Sequence, residues 1–176
     1  MAPDIAPPVD RAIAVVRANR YLVLATVDQR GPWAAAVSFV SAAPNRLYFV
    51  SRDWSRHGKA IREDGRVAGV IYDSRAAMED VESVQFEGVC IELRGNEEET
   101  RLVLERGAIR DKGAIPTADD VKQLANSADQ RLYRVEIRES FVLDQQAWFT
   151  RGVDAREPVD IAAVLGAFEQ VYRAGL

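Results

Sequence analysis

The stretch that decides the fold runs from Leu47 to Lys59 and reads Leu-Tyr-Phe-Val-Ser-Arg-Asp-Trp-Ser-Arg-His-Gly-Lys. A β-branched and aromatic run ends at Ser51, and residues 51–59 contain two serines, two arginines, one histidine and one lysine. This order predicts a strand, a turn and the start of a helix. Backbone N–H groups at a helix N-terminus are unpaired and carry positive potential, so Arg56 and Lys59 beside them predict a phosphate cradle. The alternative is a solvated basic turn.

Three strands are predicted up to this stretch. Tyr21–Val27 is a nearly continuous apolar run, and the turn residues 28–32 separate it from a second run, Trp33–Ala42. Pro44-Asn45 then leads into Arg46–Ser51. Short turns between consecutive strands predict an antiparallel meander, with a short helix from about 55 to 63 after it.

The rest of the chain repeats this mixture of strands and helices. Further strands are predicted at 66–72, 84–93, 131–138 and 140–144, a loop at 73–82, and helices that begin near Gly95, Thr117 and Pro158. The fold class is therefore mainly β with helices (α+β), a barrel of about six antiparallel strands. Side chains fill a barrel of this size, so a ligand would bind at its rim or between two subunits.

The length bounds the organisation of the chain. We expect one domain over residues 1–176, with a loose lead-in at 1–8 and a C-terminal helix at 158–175, because 176 residues can bury one substantial core. The lead-in has neither a basic region nor an apolar region of the kind found in secretory signals, so a cytoplasmic protein is expected. No apolar run reaches the length of a membrane span, so no membrane partner is predicted.

Charge and residue counts exclude several kinds of site. A net charge of −4 argues against nucleic acid as a partner, although one local phosphate pocket is compatible with it. The chain has a single cysteine, Cys90, and a single histidine, His57, so neither a disulfide framework nor a metal site is expected. Cys90 lies in an apolar strand pattern and is predicted to be a buried small side chain without a nucleophilic role.

Four strings in order resemble the pyridoxamine 5′-phosphate oxidase-like FMN-binding split-barrel superfamily. They are Leu22-Val23-Leu24-Ala25-Thr26-Val27-Asp28 with Gly31-Pro32, Leu47-Tyr48-Phe49-Val50-Ser51 with Ser55-Arg56-His57, Asp64-Gly65-Arg66-Val67-Ala68-Gly69-Val70, and Val84-Gln85-Phe86-Glu87-Gly88-Val89. The small uncharacterised members with a Val-Gln-Phe-x-Gly string are more similar to this chain than the vitamin B6 oxidases are. The resemblance implies the split β-barrel fold.

The resemblance also implies a set of FMN contacts. Arg56 would pair with the FMN phosphate, and Ser55 and Ser51 would supply hydroxyl donors. His57 stands where the family often has lysine, and Lys59 is the candidate to replace that lysine. The backbone of the second strand would lie along the isoalloxazine ring, and Ser83 and Gln85 fall where a neighbouring strand would contact FMN. The predicted cofactor contacts are Ala35, Ala36, Val37, Ser38, Val50, Ser51, Ser55, Arg56, His57, Lys59, Ser83 and Gln85.

The function implied by the resemblance is that of an FMN-dependent oxidoreductase that acts as a cytoplasmic homodimer, with FMN between the subunits and NAD(P)H as a possible electron donor. No catalytic residue is assigned. The uncharged Ala34 to Ser38 segment departs from the vitamin B6 oxidases, which carry basic contacts there. Two alternatives stay open: a non-catalytic flavin-binding or sensing protein, and a split barrel that binds a deazaflavin or haem.

Overall fold

The computed structural model describes residues 5–77 and 80–174 as eight strands and six helices. The strands are β1 (Tyr21–Asp28), β2 (Gly31–Ser38), β3 (Val40–Ala42), β4 (Arg46–Arg52), β5 (Arg66–Tyr72), β6 (Ser83–Leu93), β7 (Gln130–Leu143) and β8 (Arg156–Pro158). The helices are α1 (Pro8–Ala18), α2 (Arg56–Glu63), α3 (Glu97–Asp111), α4 (Ala118–Ala125), α5 (Gln145–Arg151) and α6 (Ile161–Ala174).

All strand pairs are antiparallel, and the sheet has the order β2-β1-β5-β6-β7-β4-β3 with β8 added to β7. The sheet curls so that β2, at one end of this order, comes into contact with β4 near the other end. No strand pairing joins β2 to β4 among the described residues. The gap between β2 on one side and β4 with α2 on the other is called the split below. The predicted α+β split barrel is confirmed.

The concave face of the sheet holds the main core. Alternate residues of each strand point inward, for example Leu22 and Leu24 of β1 and Val84 and Phe86 of β6, all of which are buried. Apolar faces of α1 and α6 close one opening of the barrel, and Ile61 of α2 packs into the same core. A smaller cluster lies outside, where α3 covers β3, β4 and β7.

The predicted strand Trp33–Ala42 is two strands. β2 pairs with β1 as far as Ser38, and β3 pairs with β4 from Val40 onward. At Phe39 the chain changes partner, and the Phe39 N–H donates to the Arg20 carbonyl at 3.1 Å. The opposite difference occurs at β7, which runs unbroken where the sequence predicted two strands at 131–138 and 140–144. Apolar patterns locate strands, but the pairing partner decides where one strand stops.

The C-terminal helix begins later than the predicted 158. Pro158 pairs with Phe141 as part of β8, and Asp160 Oδ1 accepts from the Ala162 and Ala163 N–H groups, which starts α6 at Ile161. Residue 175 lies outside the described residues, as do residues 1–4 of the lead-in. The described part of the lead-in is a coil from residue 5 as far as α1, which begins at Pro8. Two short elements, α5 and β8, were not expected from the sequence.

A glycine on β6 allows the sheet to curl. The register between β6 and β7 shifts between Glu87 and Gly88, which is a β-bulge. A Cβ built on Gly88 would lie 2.2 Å from the Glu136 carbonyl oxygen, so only glycine fits without moving β7.

Gly88→Ala should destabilise the fold by about 1–3 kcal/mol, because backbone atoms of a central strand must move to admit one methyl group. Chemical denaturation measures the loss. Gly107→Ala is the matched control: its Cβ would meet nothing within 4 Å, and alanine gains roughly 1 kcal/mol over glycine inside a helix such as α3. Equal stability of the two variants would contradict this explanation of the bulge.

Candidate functional site

The split presents the free edge of β2. Within residues 5–77 and 80–174, one edge of this strand pairs with β1, and no strand satisfies the N–H and C=O groups of the other edge. The predicted contacts Ala35, Ala36, Val37 and Ser38 lie on this strand. None of the side chains from Ala34 to Ser38 is charged, so a ligand along this edge would meet backbone dipoles and small side chains.

The N-terminal turn of α2 (Ser55–Lys59) forms the other side of the split together with β4. Ser55 is the N-cap of α2, and its hydroxyl oxygen accepts from the Gly58 N–H at 3.2 Å. Ser51, at the end of β4, lies 3.4 Å from Ser55 Oγ and 2.7 Å from His57 Nε2. The structure therefore brings together three of the predicted phosphate contacts. Val50 precedes them on β4 and is half-buried.

His57 is a hydrogen-bonding group here and not a cation. Burial lowers the pKa of His57 below its usual value, because the charged imidazolium loses its water. The ring lies 6.0 Å from the Phe49 ring, centroid to centroid, on the side of the core. His57 therefore does not reproduce the charge of the lysine that it replaces in the family pattern.

A tyrosine lies directly beneath this turn. Tyr133 of β7 is fully buried and stacks on Phe49, and no described residue accepts or donates a hydrogen bond at its hydroxyl. A Cβ on Gly58 would lie 2.5 Å from Tyr133 Oη and 2.8 Å from Ser55 Oγ, so this hydroxyl lies against the first turn of α2. Burial raises the pKa of Tyr133 to about 12, and it stays protonated. A buried hydroxyl without a partner indicates an additional polar group, such as a water molecule.

The side chain of Arg56 contacts the turn between β1 and β2. Its Nε and Nη2 atoms donate to the two carboxylate oxygens of Asp28, at 2.8 and 2.9 Å, and Nη2 also donates to the Gly31 carbonyl at 3.3 Å. The guanidinium lies over the Trp33 ring, 4.5 Å from its centroid. Arg56 thus connects α2 to the β1–β2 turn across the split. We call this contact the Arg56–Asp28 clamp.

The clamp fixes the charge of its carboxylate. Hydrogen bonds from Arg56 hold the pKa of Asp28 far below its usual value near 3.8, and Arg30 adds to the effect through its backbone N–H at 2.8 Å. Asp28 is consequently ionised at every physiological pH. Lys59, in contrast, is exposed and pairs with no carboxylate in the described part of the chain.

Ser83 and Gln85 lie away from the split within one chain. Strand registers place Ala36, Val23, Val70 and Gln85 in one row on the convex face, so Ala36 and Gln85 are three strand spacings apart, roughly 14 Å. Gln85 Oε1 accepts from Arg156 Nε at 2.8 Å. Ser83 is half-buried at the start of β6.

The convex face of these strands is flat and largely apolar. A second row reads Ala34, Ala25, Ala68 and Glu87 across β2, β1, β5 and β6. A shallow cavity of about 370 Å³ lies on this face, with Phe141 at one side. Tyr21, Val27 and Tyr72 on the edges of this face are also exposed.

Cys90 is buried as predicted, and burial raises the pKa of its thiol to about 12. A thiol in this environment is no nucleophile. Among residues 5–77 and 80–174 no group of three side chains is arranged to hold a metal ion. In the same residues no helix has the length and apolar character that crossing a membrane requires.

Three residues that shape this site, Asp28, Trp33 and Tyr133, carry no functional signal in the sequence. By sequence, Asp28 belongs to the turn residues 28–32, Trp33 begins the second predicted strand and Tyr133 lies within the predicted strand 131–138. An acidic residue before a Gly-Pro turn is a weak signal, because turns favour aspartate for local reasons. Nothing in the sequence indicates that Tyr133, more than 70 positions later, lies beneath α2.

Comparisons with known proteins agree on the fold. The family described as pyridoxamine 5′-phosphate oxidase matches residues 9–144, well over half of the chain. Over 95 residues the chain is 29% identical to UPF0306 protein PM1958 of Pasteurella multocida (strain Pm70), which covers 53% of this chain and 64% of that protein. The match thus spans less than two thirds of that relative.

Solved structures show the same architecture at low sequence identity. The conserved hypothetical protein Rv2991 of Mycobacterium tuberculosis superposes with a TM-score of 0.64 and 21% identity, over 78% of this chain and 84% of that one. The haem storage protein HutZ of Vibrio cholerae superposes with a TM-score of 0.60 and 19% identity, over 77% of this chain and 95% of that one.

The lowered pKa of Asp28 gives the clamp a pH dependence. A carboxylate whose pKa is lowered by folding stabilises the folded state above its unfolded pKa, and this stabilisation is lost as the pH falls through the folded pKa. Asp28→Asn should therefore lower the melting temperature at neutral pH, and the difference from the parent should shrink below about pH 4. Melting curves of both proteins between pH 7 and pH 2 measure this. A difference that stays constant over that range would contradict the assignment.

Proposed function

Because this chain belongs to the pyridoxamine 5′-phosphate oxidase family, we propose that it is an FMN-binding flavoprotein with oxidoreductase activity. The observation that carries the proposal is the split itself. Hydroxyl and imidazole groups of Ser51, Ser55 and His57 meet at the N-terminal turn of α2, opposite a strand edge with unsatisfied backbone groups. Such a site suits a ligand with a phosphate at one end and a planar polar ring at the other.

The residues of the split suit the two halves of FMN. Ser51, Ser55, His57 and the free donors of Arg56 would hold the phosphate, with Lys59 as a mobile cation nearby. The backbone from Ala35 to Ser38 would donate to and accept from the ring edge, with Val50 on the opposite side. Bound FMN supplies the electron-transfer chemistry, and this chain positions and shields it.

The oxidoreductase part of the proposal rests on access to the flavin and not on an assigned acid or base. A flavin reductase or oxidase needs an open ring face and an electron donor such as NADH or NADPH. The alternative is a non-catalytic flavin-binding or sensing protein, and the uncharged Ala34–Ser38 segment favours it, because it offers no cation to a reduced, anionic flavin.

Haem or a deazaflavin is the second candidate cofactor, since HutZ is described as a haem storage protein and shares this fold. Haem requires an axial ligand, and His57 is the one histidine of the chain. His57 Nε2 lies 2.7 Å from Ser51 Oγ and its ring is half-buried beside Phe49, so it is engaged at the predicted phosphate end. This placement favours FMN over haem.

The absorption spectrum of freshly purified protein tests the cofactor. Bound flavin gives bands in the blue and near-ultraviolet, whereas haem gives an intense Soret band. Anaerobic mixing of the FMN-loaded protein with NADH or NADPH then separates an enzyme from a sensor, because only an enzyme bleaches the flavin at a useful rate. Protein that takes up neither FMN nor riboflavin would overturn the proposal.

Arg56→Ala should weaken FMN binding while barely changing riboflavin binding. The substitution removes charge-assisted donors worth about 1.5–3 kcal/mol, or roughly ten- to a hundredfold in affinity, and leaves Asp28 uncompensated beside the phosphate. Riboflavin has no phosphate and controls for general damage. Lys59→Ala should act in the same direction more mildly. Unchanged FMN affinity of Arg56→Ala would disprove the phosphate assignment.

We further propose a cytoplasmic homodimer whose interface includes the flat convex face of β2, β1, β5 and β6. Alanines and valines on adjacent strands make this face smooth, and exposed tyrosines extend it. In such a dimer the outward Gln85 and Ser83 of one subunit would approach the split of the other, which would bring all predicted contacts to one cofactor.

Light scattering should therefore report about twice the chain mass of 19.5 kDa. Ala25→Arg places a charge in the middle of the flat face and should shift the mass to that of a single chain, since a buried unpaired charge is costly. Ala163→Arg, on the exposed side of α6, is the control and should remain a dimer. A parent protein of single-chain mass at micromolar concentration would refute the dimer.

A further inference from the structure

The donors of Arg56 are already largely used within the chain. Of its five N–H groups, one on Nε and one on Nη2 go to Asp28, and the other on Nη2 reaches the Gly31 carbonyl. One face of the guanidinium is covered by Trp33. Only the Nη1 donors have no partner in the described chain, so an incoming anion finds one nitrogen and not a bidentate fork.

The charge of Arg56 is compensated as well. Asp28 is bound through both oxygens, and its side chain is only 11% exposed, so water screens the pair weakly. A phosphate that binds Nη1 would share one guanidinium with the Asp28 carboxylate, which bonds Nε and Nη2, so the two negative charges would repel each other. Arg30 compensates little, because its side chain is 68% exposed and solvated.

We propose that Asp28 is a specificity-determining residue that lowers the affinity of the split for phosphate-bearing ligands by holding Arg56 in the clamp. The inference rests on the proposed function, because it concerns the same site. The side chains at the N-terminal turn of α2 would by themselves only attract a phosphate. Asp28 adds a negative charge near them, which repels it. Discrimination between a phosphorylated flavin and its neutral form is then set by Arg56 and Asp28 together.

The charges of the Arg56–Asp28 clamp do not change over the physiological pH range, because Asp28 remains ionised throughout it. Arg30 of the β1–β2 turn is a further charged group at the pair, with its Nη2 atom 3.1 Å from Asp28 Oδ2. Selectivity should therefore respond to substitution of Asp28 and to salt, and titration of Asp28 should contribute no change in it between pH 6 and 8.

The test compares dissociation constants of FMN and riboflavin for the parent and for Asp28→Asn. The asparagine keeps the size of the side chain and removes its charge, so the ratio of riboflavin to FMN dissociation constants should rise about tenfold, as expected when a nearby like charge is removed. Asp28→Ser removes the same charge and replaces Asp28→Asn in this comparison if the Asp28→Asn protein does not unfold cooperatively.

Asp64→Asn is the matched control. Asp64 also pairs with an arginine, Arg66, with atoms 2.6 Å apart, but it lies at the C-terminal end of α2, away from the clamp. Asp64→Asn changes the net charge by the same amount as Asp28→Asn and should leave the ratio of riboflavin to FMN dissociation constants unchanged. Inorganic pyrophosphate is a second probe: the concentration that stabilises the protein against melting should be about tenfold lower for Asp28→Asn than for the parent.

The outcomes separate the inference from the proposed function. If flavin binds and the ratio is unchanged or falls in Asp28→Asn, Asp28 does not oppose phosphate and the inference is wrong. If no flavin binds to any variant, the proposed function fails, and the pyrophosphate comparison alone decides the inference. An equal rise in Asp64→Asn would show a general charge effect and would also overturn it.

Discussion

The Arg56–Asp28 clamp joins two parts of the chain that the sheet itself leaves apart. β2 and β4 approach each other without pairing, so backbone hydrogen bonds do not hold the two sides of the split together. The bidentate ion pair, with Trp33 against the guanidinium, connects α2 to the β1–β2 turn. This contact therefore links the N-terminal turn of α2 to the β1–β2 turn, in addition to the packing of Ile61 in the core.

A structural role and a ligand-binding role place different requirements on Arg56. As a connector it needs a permanent anionic partner, and Asp28 supplies one whose pKa is held far below its usual value. As a phosphate ligand it would need free donors and uncompensated charge, and the clamp leaves it few of either. In the proposed FMN site, phosphate binding would therefore depend more on Ser51, Ser55 and the backbone of α2 than on a full arginine charge. His57, kept neutral by burial, belongs to this hydrogen-bonding set.

Much of the fold follows from local patterns. The apolar run at Tyr21 and the turn residues after it predicted β1, and Thr117 predicted the start of α4, where the structure shows its capping box with Asp120. Element boundaries that depend on strand pairing could not be predicted from local patterns. β2 ends at Ser38 because the chain pairs with β1 up to that residue and with β4 from Val40 onward, and Pro158 belongs to β8 instead of α6. Of the predicted site residues, Ser51, Ser55 and His57 are close in sequence and also lie together in the structure, whereas their role in binding a cofactor stays a prediction.

The sequence by itself determined the α+β class, the family, the order of the elements and the concentration of hydroxyl and cationic groups between Ser51 and Lys59, because these depend on residue types at short spacing. Only the tertiary structure decided the partners of those groups. Asp28 reaches Arg56 across 28 positions and Tyr133 lies beneath Gly58 across 75, and contacts of that kind arise from strand pairing and sheet curvature. The types of neighbouring side chains can be read from the sequence, whereas the residue that compensates a charge is known only once the chain has folded.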